Sequence, residues 1–314
     1  MRVSGFTFLK NAQALYYPIK ESIQSILPIV DEFVVALDNS ELGDRSLEIL
    51  NEIGSDKIKI VHTLWDLEKF KGGTVYAQQT DLAKTHCTGD WLFYLQGDEV
   101  IHESDLFEIR EAMHKHLYDE RVEGFVFNYM HFWGDYSHYF RDHCWYRREI
   151  RVVRNRPAIH SWRDAQSFRY NPHFDGLDYL SKAGTRRLNC VQLKARVFHY
   201  GWVRPPEIMK KKNLAVRRNY HNALWKEFSS KFDYGRMDYC NVYTETHPNV
   251  MTPRILQHDW AESLRFEGPA VIGREKMKHE KQKYRIINFL EDKVFHFPLG
   301  GFRNFKLVKG TGKR

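Results

Sequence analysis

Trp91-Leu92-Phe93-Tyr94-Leu95-Gln96-Gly97-Asp98-Glu99-Val100 is the stretch on which the reading of the fold turns. Its first five residues are apolar without alternation, so both faces of such a strand lie against protein, as in a parallel sheet covered by helices. Gln96-Gly97 then breaks the strand and two carboxylates follow. In open α/β sheets ligands bind outside the carboxyl ends of the strands, and Asp98 and Glu99 stand at such an end.

The flanking sequence repeats the pattern. Arg2 to Leu9 is a β-rich run, and Pro18 suits the first turn of a helix whose Ile19, Ile23, Ile26 and Leu27 share one face. Glu32 to Leu37 is a second apolar strand with Asp38 at its end, on the same rim as Asp98. Asp44 can cap the next helix, with Leu47, Leu50 and Gly54 on one side, and Lys57 to His62 is a further strand. Gly72-Gly73 precedes a helix to about Cys87. Strands alternating with helices predict an α/β fold with a mostly parallel central sheet flanked by helices. Beyond the acidic turn, Leu106, Ile109, Met113 and Leu117 form a helical stripe. Strands then follow at Gly124 to His131, Ile150 to Arg154 and Leu188 to Tyr200. Pro205-Pro206 opens a basic helix to about Phe228, and from about Phe232 no period is legible.

Composition narrows the class. The chain has 314 residues, 42% hydrophobic and 28% charged, which is the profile of a globular protein rather than a disordered one. No run of eighteen apolar residues occurs, and Met1-Arg2-Val3-Ser4-Gly5-Phe6 lacks the pattern of a signal peptide. Cys87, Cys144, Cys190 and Cys240 are far apart, which fits neither a zinc site nor a disulfide scaffold and suits a reducing cytoplasm. The net charge of +8 points to an anionic partner, but it is unevenly spread. Residues 1–100 carry 9 Lys+Arg against 15 Asp+Glu, and residues 251–314 carry 14 against 7. An evenly coated nucleic-acid binder does not look like this. RNP-type aromatic motifs, G-x-G-x-x-G, a P-loop and H-E-x-x-H are all absent.

Two turns carry candidate chemistry. Mg²⁺ or Mn²⁺ takes oxygen ligands, commonly one or two carboxylates completed by substrate phosphates, and Asp98-Glu99 offers them; the same residues equally suit a solvated acidic turn. Asp38-Asn39-Ser40, with Asp44 beyond, can receive a ribose hydroxyl or a base edge, or form an Asx turn.

Over roughly residues 3–205 these segments together resemble the glycosyltransferase family 2 superfamily, whose GT-A fold binds nucleotide sugars. Phe6-Thr-Phe-Leu-Lys-Asn11 is similar to that family's first strand. Asp38-Asn39-Ser40 with Asp44-Arg45-Ser46 is similar to its turn after strand two, and Ala83 to Glu99 to the segment entering its Asp-x-Asp element. The resemblance implies a GT-A-like domain over 1–204, with a nucleotide-sugar half (1–100) and an acceptor half (101–204), followed by a basic helical or irregular extension over 205–314. It implies donor contacts from Asn11, Asp38, Ser40, Asp81, Gln96 and Gly97, and a metal held by Asp98 and Glu99, with His199 as a late third ligand. Gln96 stands where the first Asp of Asp-x-Asp is usual, Thr80-Asp81 where Arg-Asn is usual, and no Glu-Asp pair occurs between residues 100 and 250.

A catalytic base must then be sought elsewhere. Deprotonating an acceptor hydroxyl needs a carboxylate or imidazole within hydrogen-bond reach. Asp164, and after it His160, in Ile159-His160-Ser161-Trp162-Arg163-Asp164 are the candidates, although Asp164 equally suits an ion pair with a neighbouring Arg. Lys210 to Arg218 can neutralise a diphosphate, touch anionic lipid, or simply be a solvated face. Trp133, Tyr136, Tyr139 and Trp145 can stack on sugars or pack a core. The expectation is a metal-dependent, inverting sugar transferase acting from a nucleotide-sugar donor on a saccharide or lipid-linked acceptor. It is cytoplasmic, with peripheral contact to an anionic membrane face and no nucleic-acid partner. The alternative is a non-catalytic nucleotide-sugar or polyanion binder on a degenerate transferase fold.

Overall fold

The computed structural model describes residues 1–220, 231–295, 299–300 and 303–308. Four parallel strands, β1 (Val3–Lys10), β2 (Glu32–Asp38), β3 (Ile58–His62) and β4 (Trp91–Tyr94), lie in the order β3-β2-β1-β4. They are linked through α1 (Ile19–Ile26), α2 (Ser46–Glu52) and α3 (Thr74–Thr85). Phe33 to Leu37 of β2 and Trp91 to Leu95 around β4 are all fully buried. Burial of both faces is what an unbroken apolar run requires, at about 1.5–3 kcal/mol for each large side chain removed from water.

Past β4 the sheet becomes mixed. β5 (Glu99–Ile101) is followed by α4 (Leu106–Lys115), then β6 (Gly124–Trp133), β7 (His138–Phe140) and β8 (Arg148–Arg154). β8 is antiparallel to both β4 and β6, because β6 returns through β7 with no helical crossover to carry it round in parallel. β9 (Ile159–Trp162) and β10 (Ser167–Tyr170) form an edge hairpin. The seventeen residues of β11 (Arg186–Trp202) then run parallel to β6 with two register shifts. This is the α/β sheet flanked by helices expected from the sequence. The short strands β5, β7, β9 and β10 are not legible from periodicity, since three or four residues are too few to show one.

α5 (Pro206–Asn219) follows β11 directly; the last part of the helix expected to reach Phe228 lies outside the described residues. From 231 onward short turns dominate, with β12 (Asn241–Val242), α6 (Thr252–Leu256), α7 (Gln282–Leu290) and β13 (Phe305–Leu307). This segment covers an aromatic cluster that includes Phe132, Trp133, Tyr136, Phe140, Tyr200, Phe232, Tyr234 and Trp260. Trp133 and Tyr136 are therefore core, with the Trp133 indole donating to the Tyr234 carbonyl at 2.9 Å, and Trp145 and Tyr139 pack against the same cluster. The four cysteines are free, and no described helix is long and apolar enough to cross a membrane.

Candidate functional site

A cleft of about 770 Å³ opens where β1 and β4 end, bounded on its other side by α5. Of the residues singled out from sequence, it brings together Asn11, Asp44, Gln96, Gly97, Asp98, Asp164 and His199, with Lys211, Lys212 and Arg218 of the basic run.

The acidic turn is held by close packing. A side chain at Gly97 would place its Cβ 3.0 Å from Leu9 Cδ2 and 3.2 Å from Ile19 Cγ2. The Tyr200 amide donates to the Asp98 carbonyl at 2.8 Å, tying the turn to β11. Gly201 lies so near that its Cβ would fall 2.5 Å from His199 Nε2 and 2.8 Å from Asp98 Oδ2. Only a residue without a side chain lets these two groups face one cleft.

Asp98 Oδ1 stands 3.8 Å from His199 Nε2, and Asp98 Oδ2 3.3 Å from Lys212 Nζ. Burial alone pushes the Asp98 carboxyl up, but the positive charges around it, Lys212 foremost, reverse this and hold it well below the usual carboxylate range. Burial, with Arg204 beside it, draws the Lys212 ammonium down. Burial also lowers both His199 and His131. Their tautomers follow from the hydrogen bonds. The Tyr146 carbonyl only accepts, so His131 Nε2–H donates to it at 2.7 Å; His131 Nδ1 then accepts from His199 Nδ1–H at 3.1 Å. His199 Nε2 is left with its lone pair toward Asp98.

Glu99 is withdrawn from the cleft, contrary to its expected place beside Asp98. Arg151 grips it through two 2.7 Å bonds, the Tyr129 hydroxyl donates to it at 2.8 Å, and both Glu99 and Arg151 are fully buried. Alternation along β5 is the reason: residue 98 ends the turn facing the cleft, and residue 99 points the other way. The donors left for a cation are one carboxylate oxygen and one imidazole nitrogen. Among the described residues no group of three or more His, Cys, Asp or Glu could hold a metal alone. The pair fits a divalent ion whose remaining ligands come from substrate phosphates, and the nitrogen favours Mn²⁺ over Mg²⁺.

Asp164 faces the cleft from the loop between β9 and β10. Its Oδ2 accepts from the Tyr220 hydroxyl at 2.6 Å, and among the described residues its buried Oδ1 has no hydrogen-bond partner. Arg163 and Ala165 on either side are left-handed, both at φ 60°. Among the described residues the other non-glycine residues with positive φ are Asn11 at 52° and Tyr16 at 60°, in the loop after β1. Each costs about 1–3 kcal/mol, and such conformations concentrate at functional sites. The Asn11 loop is pinned by Ser46 Oγ, which accepts from the amides of Ala12 (3.1 Å) and Gln13 (3.3 Å) and donates to Asp44 Oδ1 at 2.8 Å.

The remaining candidates lie outside the cleft. Asp38 is buried and its carboxylate is spent on Lys10 at 2.8 Å, Ser40 and the Trp65 amide at 2.9 Å; burial pushes its pKa up, and these hydrogen bonds bring it below the ordinary value. It positions Trp65, which with Phe8 and Tyr76 forms an aromatic wall. Ser40 is occupied in the same turn. Asp81 accepts from the Ser161 amide at 2.8 Å and pairs with His160 at 3.1 Å, joining α3 to β9. His160 stacks near Phe174, and neither His160 nor Asp81 reaches the cleft. Sequence reading missed Trp65, Tyr76, Lys212 as an individual residue, and Tyr220; only the basic run around Lys212 carried a signal.

No family model matches the chain, and no curated protein matches it. Among solved structures, S. aureus TarS residues 1–349 in complex with UDP aligns at 19% identity and TM-score 0.31, over 42% of this chain and 36% of that one. The same TarS segment in complex with UDP-GlcNAc aligns at 18% identity and TM-score 0.30, over 42% and 35%. TarS 1–349 alone aligns at 13% identity and TM-score 0.38, over 72% and 67%. The chain thus matches a little over a third of the length of the first of these.

Proposed function

We propose that the chain is a glycosyltransferase of family 2 type, moving a sugar from a nucleotide-diphosphate donor to a hydroxyl acceptor, with inversion at the anomeric carbon. One observation carries the reading: a single cleft at the carboxyl ends of the parallel strands holds a charged carboxylate beside a lone-pair imidazole and, facing them, a carboxylate with one free oxygen. The aromatic wall of Phe8, Trp65 and Tyr76 suits a nucleobase, and Asn11, Gln96 and Gly97 line the path from that wall to Asp98.

Asp98 and His199 would hold Mn²⁺ or Mg²⁺, which supplies electrostatic stabilisation of charge developing on a leaving diphosphate. His131 fixes the His199 tautomer, and Gly201 leaves room for both ligands. Asp164 accepts the proton of the acceptor hydroxyl, while the Tyr220 hydroxyl, donating to its Oδ2, keeps the carboxylate oriented. The acceptor is a saccharide or lipid-linked hydroxyl. An anionic membrane face as a further partner is supported by α7 and its flank, where Lys281, Lys283 and Arg285 accompany exposed Ile286 and Phe289.

The test is a thermal-shift screen of UDP-, GDP-, CMP- and dTDP-sugars with and without Mn²⁺, where a binder raises the melting temperature by mass action. A shift for one nucleotide class, lost in Asp98→Asn, is expected. Binding by none of them overturns the reading. Binding without transfer to any acceptor leaves the degenerate, non-catalytic alternative.

A further inference from the structure

Two cations meet at the corner of the cleft where α5 crosses the acidic turn, and Asp98 is the carboxylate they share. Lys212 Nζ donates to the Gly201 carbonyl at 2.6 Å and, more loosely, to Asp98 Oδ2 at 3.3 Å. An ammonium has three donors, so one is uncommitted to these acceptors, and a charge-assisted bond at full strength is nearer 2.7–2.9 Å. Behind it Arg204 is completely buried, and among the described residues none of its three guanidinium nitrogens has a hydrogen-bond partner. Both cations rest on the ring of Tyr17, Arg204 at 4.7 Å and Lys212 at 4.9 Å from its centroid. A buried guanidinium without acceptors is unfavourable unless a nearby anion offsets it. When Lys212 is protonated, one carboxylate faces two cations, and this corner then carries one positive charge more than these groups neutralise.

We propose that Lys212 is the phosphate-binding cation of the cleft, donating to the diphosphate of the donor and stabilising negative charge on it as it leaves. Its identification of the diphosphate's carrier rests on the nucleotide-sugar reading above; the anion site itself does not. The Lys212 ammonium lies over the rings of Tyr17 and Trp202, 4.9 and 5.9 Å from their centroids, which hold it beside Asp98 on the cleft wall where a phosphate oxygen would enter. Arg204, held out of the cleft behind Tyr17, adds a fixed positive field without touching the ligand. Donors aimed at developing charge in a water-poor site are the strongest form of such stabilisation. Lys212 uses Oδ2 of Asp98 while Oδ1 faces His199, so a divalent ion held by Asp98 and His199 would leave Lys212 its own oxygen of that carboxylate. Within the run Lys210-Lys211-Lys212, Lys212 reaches Asp98 and the Gly201 carbonyl, which separates it from a merely solvated basic face.

The probe is inorganic pyrophosphate in EDTA, titrated calorimetrically into the full chain at two salt concentrations. Wild type is expected to bind, more weakly at higher salt. Lys212→Met should weaken Kd by roughly 10- to 100-fold, the range for losing a hydrogen bond to a charged group, and Lys212→Arg should restore most of it. Should Met perturb α5 in a thermal melt, Lys212→Gln, which can still donate to the Gly201 carbonyl, takes its place. Equal pyrophosphate affinity in wild type and variant, or no binding by wild type, overturns the proposal. If pyrophosphate binds through Lys212 while no nucleotide sugar binds, the anion site stands and the transferase reading falls.

Discussion

Glu99→Gln separates the role the acidic turn implies for this residue from the role the packing gives it. Glu99 accepts two bonds of 2.7 Å from Arg151, one of 2.8 Å from Tyr129 and one of 3.1 Å from the Gln96 amide, with no exposure of either charged partner. A glutamine keeps the shape but turns an NH₂ toward donors and leaves the guanidinium of Arg151 buried without a counter-charge. Breaking one side of a buried pair costs about 3–5 kcal/mol. At about 0.6 kcal/mol of unfolding entropy per degree for a chain of this size, that is a fall of roughly 5–8 °C in melting temperature. Scanning calorimetry with urea unfolding measures it, and titration of Mn²⁺ in the presence of nucleotide runs beside it. The expected result is a large loss of stability with metal affinity retained at a temperature where the variant is folded. The double variant Glu99→Leu, Arg151→Leu should recover part of the loss, because apolar replacement of both partners removes the uncompensated charge. A variant as stable as wild type that no longer binds Mn²⁺ would refute the argument and return Glu99 to the metal.

Other consequences are open to test. Gly201→Ala forces apart His199 and Asp98, so nucleotide-dependent Mn²⁺ binding should drop at least tenfold while circular dichroism stays unchanged; retained affinity would show that the two groups do not act together. Asp164→Asn should abolish transfer yet leave donor binding within about twofold, and equal loss of both would remove Asp164 from the role of base. Burial, opposed by Arg151 and by hydrogen bonds from Ser167 and Asn304, lifts Glu149 from 4.5 to about 7. The folded state then holds a proton that the unfolded chain releases above pH 4.5, so this group lowers stability progressively as pH rises to about 7. Glu149→Gln should accordingly gain stability over wild type at pH 8 and little at pH 4.5, read by urea unfolding at each pH. Reversing Lys281, Lys283 and Arg285 to Glu should abolish sedimentation with anionic vesicles and leave neutral vesicles unaffected; unchanged sedimentation would rule out α7 as the contact.

The parts of the site legible in the sequence are those built by local pattern. An apolar run followed by Gly97-Asp98 places a carboxylate on the rim whatever the rest of the chain does, and β2 with Asp38 obeys the same rule. Yet the rule does not say where a side chain points. Asp38 sits at a strand end as foreseen, but Lys10 of the neighbouring strand, paired with it in register, claims its carboxylate. Asp81 and His160, both polar and seemingly free in the sequence, find each other across 79 positions. A partner so distant leaves no trace in periodicity or spacing.

The features that make the cleft chemical rather than merely polar come from such long-range meetings. His199 lies 101 positions beyond Asp98 and gains a defined lone pair only because β6 brings His131 alongside it in register and the Tyr146 carbonyl holds the far nitrogen. Lys212 meets Asp98 across 114 positions, and Tyr220 meets Asp164 across 56. The left-handed residues at 11, 16, 163 and 165 then mark where the backbone is bent against its own preference to bring these groups in. Strain of this kind survives only if the surrounding packing over-determines it. Here the buried β1, β2 and β4 strands and the Glu99–Arg151 pair supply that frame, fixing the loops from beneath. A carboxylate spent on the frame, one residue away from a carboxylate facing the cleft, is therefore part of how the site is held open, and the two cannot exchange roles without unmaking the sheet between them.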